Sequence, residues 1–135
     1  MAERFEDLRA WKTARSLTNE VYALTKWESF ANDWALKDQI RRVSISVMSN
    51  IAEGFESRTR SQFINFLGTA KASAGEVRSQ LVIAHDQECL SDETFSRIND
   101  LADKVSRQLY HLIGHLEQND GSDRVRELPA EYITD

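Results

Sequence analysis

His111 and His115 in "HLIGH" stand four apart, a spacing that on a helix puts both imidazoles on one face, where they can clamp a metal ion. No carboxylate lies within the pair, and the helix dipole by itself favours histidines near a helix C-terminus, so neither a metal nor a cofactor is expected. Ser44, Ser46 and Ser49 offer three hydroxyls in a short run. A serine becomes a nucleophile only beside a base, and no histidine shares their segment, so His85 could reach them only through the fold. Glu53 and Glu56 carry carboxylates of the kind used in acid–base pairs, but glutamates three apart on an exposed helix end are commonplace. These residues point away from catalysis.

Arg41, Arg42, Arg58 and Arg60 gather around the face and end of one segment. Lys71 and Arg78 stand seven apart on the next, on a face shared with Ile64, Gly75 and Val82. Repeated by rotational symmetry, these cations would form a ring able to contact nucleic-acid phosphates. The competing reading is ordinary solvated or ion-paired side chains. Aromatic residues suited to base stacking are not interleaved with these arginines, which weakens a single-strand reading. The net charge of −5 argues mildly against a dedicated nucleic-acid binder. Most of that acidity is C-terminal, with ten acidic and five basic residues over 91–135 against three and five over 34–60.

The elements that must position these groups follow from composition and periodicity. A chain of 135 residues is one domain by size and can fold without a disulfide or metal. The single cysteine, Cys89, suits a reducing compartment, no apolar run approaches a membrane span, and "MAERFEDLRA" has no signal-peptide core. A cytoplasmic protein with no membrane partner is expected. The only proline, Pro129, lies near the end, and no run alternates with period two, so the remainder is free to be helical.

Four helices are predicted. The first covers residues 6–26, with Leu8, Trp11, Ala14, Leu17, Val21 and Leu24 on one side, and "WESFAND" ends it with Asn32 or Asp33 as the next cap. The second covers residues 34–56. The third follows "SRTR" and carries Phe63, Leu67, Ala70, Ala74, Val77, Leu81 and Ala84 in steps of four and three. Ser91 caps the fourth, which shows Ile98, Ala102, Val105, Leu109, Leu112 and Leu116. Short connections make this an all-α, antiparallel up-down-up-down four-helix bundle over residues 1–117, with a polar, flexible tail over 118–135.

The second helix has more apolar surface than a bundle core uses. Leu36, Ile40, Val43, Val47 and Ile51 form one stripe. Ile45, Met48, Ala52 and Phe55 form another, with Arg41 inside it, and such a second stripe marks an association site. Arg41, Ile45, Met48, Ala52 and Phe55 are therefore the expected oligomer interface. The small residues of "LGTAKASAG" in the third helix would let another helix approach closely. Gly54 falls on the core stripe, with Asn50 at its edge and Glu53 on the polar side. Asn50, Glu53 and Gly54 read as a packing motif.

At these residues the chain resembles a known family. "QIRRVSISVMSNIAEGF" (residues 39–55), with "FEDLRAWKTARSLTNEVYALT" upstream and "FINFLGTAKASAGEVRSQLVIA" downstream, resembles the four-helix-bundle proteins encoded within intervening sequences of 23S ribosomal RNA genes. The resemblance implies a non-enzymatic bundle assembling into a ring-like homopentamer. It is also similar to accessory variability determinant proteins of diversity-generating retroelements, which bind RNA and a reverse transcriptase. The family's usual proline in the first loop is missing from "KWESFAND", and its glycine before Ser73 is Ala72 here. The expectation is a homo-oligomeric helical scaffold for RNA or a nucleic-acid-processing protein. Its alternative is a protein-interaction module that binds no nucleic acid.

Overall fold

A computed structural model describes residues 1–118 and 126–133. Its helices are α1 (Arg9–Thr25), a short α2 (Glu28–Ala31), α3 (Trp34–Glu56), α4 (Arg60–Asp86) and α5 (Asp92–Gln118), with 3-10 turns at Phe5–Asp7 and Ala130–Tyr132. The protein is all-α, and its four long helices form a bundle.

The helix boundaries are set by caps. Asp33 Oδ1 accepts from the Leu36 N–H at 3.0 Å, starting α3 where the sequence suggests. Thr59 and Gln62 form a reciprocal capping box at the start of α4, each side chain accepting the other's backbone N–H. Ser91 Oγ accepts from the Thr94 N–H at 3.1 Å and starts α5. The turn before it holds Glu88 at φ 60°, a left-handed conformation that glycine adopts without cost. Glu88→Gly is accordingly expected to raise stability by up to about 1 kcal/mol in urea unfolding.

Around the bundle, α1 neighbours α3, α3 neighbours α4, α4 neighbours α5, and α5 closes on α1. Partner numbers fall along one helix as they rise along its neighbour. Thr18 donates to the Ser44 carbonyl while Thr25 meets Arg41. Ser46 meets Ser73 while Gly54 abuts Phe63. Arg78 approaches Asp103 while His85 meets Asp92. Leu17 and Val21 of α1, Ile40, Val47 and Ile51 of α3, and the four-and-three series of α4 and α5 are all buried.

The structure departs from the sequence reading in three places. The first helix starts later, at Arg9, because the Asp7 carboxylate accepts the backbone N–H groups of Glu3 and Arg4 and closes a separate 3-10 turn. The "WESFAND" stretch contains α2, whose Phe30 is fully buried and whose Ser29 Oγ donates to the Cys89 carbonyl. The tail drawn over residues 118–135 is, across 126–133, docked on the bundle. Leu128 is buried, Ala2 N–H donates to the Arg126 carbonyl, and Leu8 pairs with Ile133 in an isolated antiparallel bridge. The tail's few apolar side chains supply the reason, since leaving them in water would forfeit burial energy. The rest of the expected tail, 119–125 and 134–135, lies outside the described residues. No helix among the described residues is long and apolar enough to cross a membrane.

Candidate assembly and binding surfaces

The "SNIAEGF" stretch lies in the α3–α4 contact. Gly54 is buried, and a Cβ there would come within 2.9 Å of Phe66 Cβ and 3.0 Å of Phe63 Cδ1. Glycine is required by this close approach of two helices. One turn earlier, Asn50 Nδ2 donates to the Ser46 carbonyl at 2.8 Å and to Ser46 Oγ at 2.9 Å. Ser46 Oγ in turn shares a 3.0 Å bond with Ser73 Oγ of α4. This small polar chain satisfies groups at the edge of the core. Asn50, expected at the edge of the core stripe, is half-buried and reaches α4 through Ser46 and Ser73, the latter a core position of α4 that the expectation did not include. Glu53 is exposed and takes no part.

The second stripe of α3 runs along α1 and is partly covered by it. Arg41 lies 4.4 Å over the Tyr22 ring, and its Nε donates to Thr25 Oγ1 at 2.7 Å, so this cation is paired within the chain. Ile45 is 39% exposed, and Met48 and Ala52 are half-buried. Phe55 departs from the interface expected for it. It is 1% exposed, set edge-on to Phe63, and covered by the Arg126 guanidinium 4.2 Å above its ring. The docked tail removes this residue from the surface. Arg126 also donates to the Phe55 carbonyl at 3.0 Å.

A different surface, of small, aliphatic and basic residues, runs along α4 beside α5. Ile64, Gly68, Lys71, Gly75, Arg78 and Val82 follow one another at helical spacing. A Cβ at Gly68 or Gly75 would meet nothing within 4 Å, and Val82 is 47% exposed. The bundle's own packing therefore gives no reason for either glycine.

The six basic residues do not form one patch on a single chain. Arg42 is bound to Asp38 of the preceding turn, and Arg78 approaches Asp103 at 3.7 Å. Arg58 and Arg60 lie at the opposite end of α3 from Arg41, and Arg60 donates to the Leu116 carbonyl. Lys71 lies on the α4–α5 side.

The other candidate groups are engaged locally. His111 and His115 flank the docked Tyr132, whose hydroxyl donates to the His111 carbonyl. Burial pushes the Tyr132 phenol above its ordinary pKa, with Glu131 adding to the shift. A cavity of about 150 Å3 lies under this turn, between Arg9, Ala10, Gln108 and Leu112. His85 pairs with Asp92 and stacks on Phe95 at 4.7 Å, while Ser44 Oγ donates to the Arg41 carbonyl. Burial, helped by the Asp33 charge, pushes the Cys89 thiol up, which makes it a poor nucleophile. Among the described residues no group of three His, Cys, Asp or Glu is arranged to hold a metal ion.

The family model for 23S rRNA-intervening sequence proteins matches residues 6–111. Among solved structures, the chain is similar to a protein of unknown function from the S23 ribosomal protein family of Bacteroides thetaiotaomicron. The TM-score is 0.72 at 23% identity, covering 77% of this chain and 97% of that one, a likeness of fold. No curated protein matches the chain.

Proposed function

The chain belongs to the 23S rRNA-intervening sequence protein family, and from that premise we propose that it is a non-enzymatic, cytoplasmic scaffold built from copies of itself. One observation carries this reading. The outer stripe of α4 holds Gly68 and Gly75 in open space beside exposed Val82. Each interior glycine costs a helix about 1 kcal/mol, and nothing in the bundle recovers it. A neighbouring copy packing closely on this stripe would.

The surface to meet it is the residual α3 stripe of Ile45, Met48 and Ala52, against α1. Because α1–α3 and α4–α5 lie across the bundle from each other, the two surfaces make a head-to-tail contact. Such contacts close into rings when the rotation permits. Five copies is the number that the family resemblance implies. Arg58 and Arg60, at the end of α3 and outside this contact, would recur around such a ring and offer repeated contacts to RNA, whereas Lys71 and Arg78 lie on the stripe that the neighbouring copy covers. A module that recruits only protein is the alternative occupant of the same scaffold.

Sedimentation of the wild-type chain and of Gly68→Leu/Gly75→Leu tests the assembly. We expect an oligomer from the wild type. The variant should be monomeric with its helix content kept, because leucine blocks approach from outside while clashing with nothing inside. A wild-type monomer at micromolar concentration, or an unchanged mass in the variant, would refute the interface.

A further inference from the structure

We propose that the end of the bundle where α1 meets α3 binds single-stranded nucleic acid through aromatic–cation pairs: Arg41 on Tyr22, and Lys37 on Trp34. The partner is a finer reading of the scaffold above and borrows only avidity from it. The pairs are assembled by the fold. Arg41 reaches across from α3 to lie 4.4 Å over the Tyr22 ring of α1, and Lys37 Nζ sits 5.3 Å over the Trp34 ring. Trp34 is 76% exposed and Trp27, at the same end, is 45% exposed. Trp34 and Arg41 are seven residues apart on α3, about 10 Å along the axis.

Each pair is a nucleotide-sized unit. The ring offers a face for any base, and the cation beside it offers a charge for the neighbouring phosphate. Arg41 is half-buried, with its guanidinium on Tyr22 and its Nε on Thr25, so in that pair the cation serves as a fixed charge beside the ring. Protein hot spots also use Trp, Tyr and Arg, but they set the aromatic within a packed apolar surround. Trp34 has a lysine above it and water around most of it, which favours a charged, stackable partner. Two of the nearby acids are already engaged. Asp38 is held by Arg42, and Asp33 is turned to the Leu36 N–H. Asp86 and Glu88 of the α4–α5 turn lie at the same end and repel phosphate, which holds the affinity low, while the contacts of Arg41 and Lys37 with phosphate make binding fade as salt rises.

Titration of a fluorescein-labelled, unstructured oligouridylate by anisotropy tests this, at about 50 mM salt and again at about 200 mM. Binding should be present at the lower salt and fall steeply at the higher. Trp34→Ala should weaken it about five- to hundredfold, and Trp34→Phe should restore most of the loss, since a ring is kept. Lys37→Gln should lower the log–log salt slope by about one. Sedimentation of the same samples separates the two readings. A wild type that is monomeric yet binds would sink the assembly and spare this site. No binding at the lower salt would overturn the site. So would unchanged binding by Trp34→Ala, which would assign the aromatic end to a protein partner. A Trp34→Ala mass shift without loss of binding would overturn it too, giving the surface to the contact between copies.

Discussion

Phe30→Ala will cost the protein about 3–5 kcal/mol in urea unfolding, the range for deleting a fully enclosed phenylalanine. The residue belongs to a four-residue helix inside a stretch whose composition reads as a linker. Yet its ring is wholly buried in the same cluster as Leu24, Leu36, Cys89 and Leu90. The α2 turn works as a plug in the end of the bundle, pinned by the bond from Ser29 to the Cys89 carbonyl at 2.9 Å. Trp34→Ala, a few residues away but mostly exposed, should change stability by less than about 0.5 kcal/mol. A loss below about 1 kcal/mol for Phe30→Ala would mean that the site collapses without strain and that α2 is dispensable.

Gly54→Ala should cost about 1–3 kcal/mol, although alanine is the better helix former by about 1 kcal/mol. The new methyl would sit 2.9 Å from Phe66 Cβ, and that atom is fixed to the α4 backbone rather than hanging on a flexible side chain. Relief requires the two helices to part, which loosens the Phe55–Phe63 contact below. Gly114→Ala is the matched control, because a Cβ there meets nothing within 4 Å. It should stabilise α5 by up to about 1 kcal/mol. Equal gains from both substitutions would show that the close approach at Gly54 does not govern packing.

These two experiments divide along what periodicity can report. Gly54 was legible because the α3 wheel puts it on the core stripe, where a residue without a side chain implies a neighbour in its place. The start of α3 at Trp34 was legible because Asp33 has cap chemistry and the apolar repeat begins just after it. Phe30 was not, since a single turn is too short to show a repeat. Phe55 was misread as surface for a related reason. A wheel shows which side of a helix is apolar, whereas the cover came from Arg126, distant in sequence.

The sequence by itself determined the four long helices, their order and their core faces. Hydrophobic period, caps and the near absence of proline act locally, over a turn or two, and leave the chain few other ways to bury four stripes. Only the tertiary structure decided which leftover surfaces stay available. It covered Phe55, paired Arg41 with Tyr22, scattered the basic residues, and left Gly68 and Gly75 facing open space. Those outcomes depend on which side chains meet across helices, and no local pattern encodes that meeting.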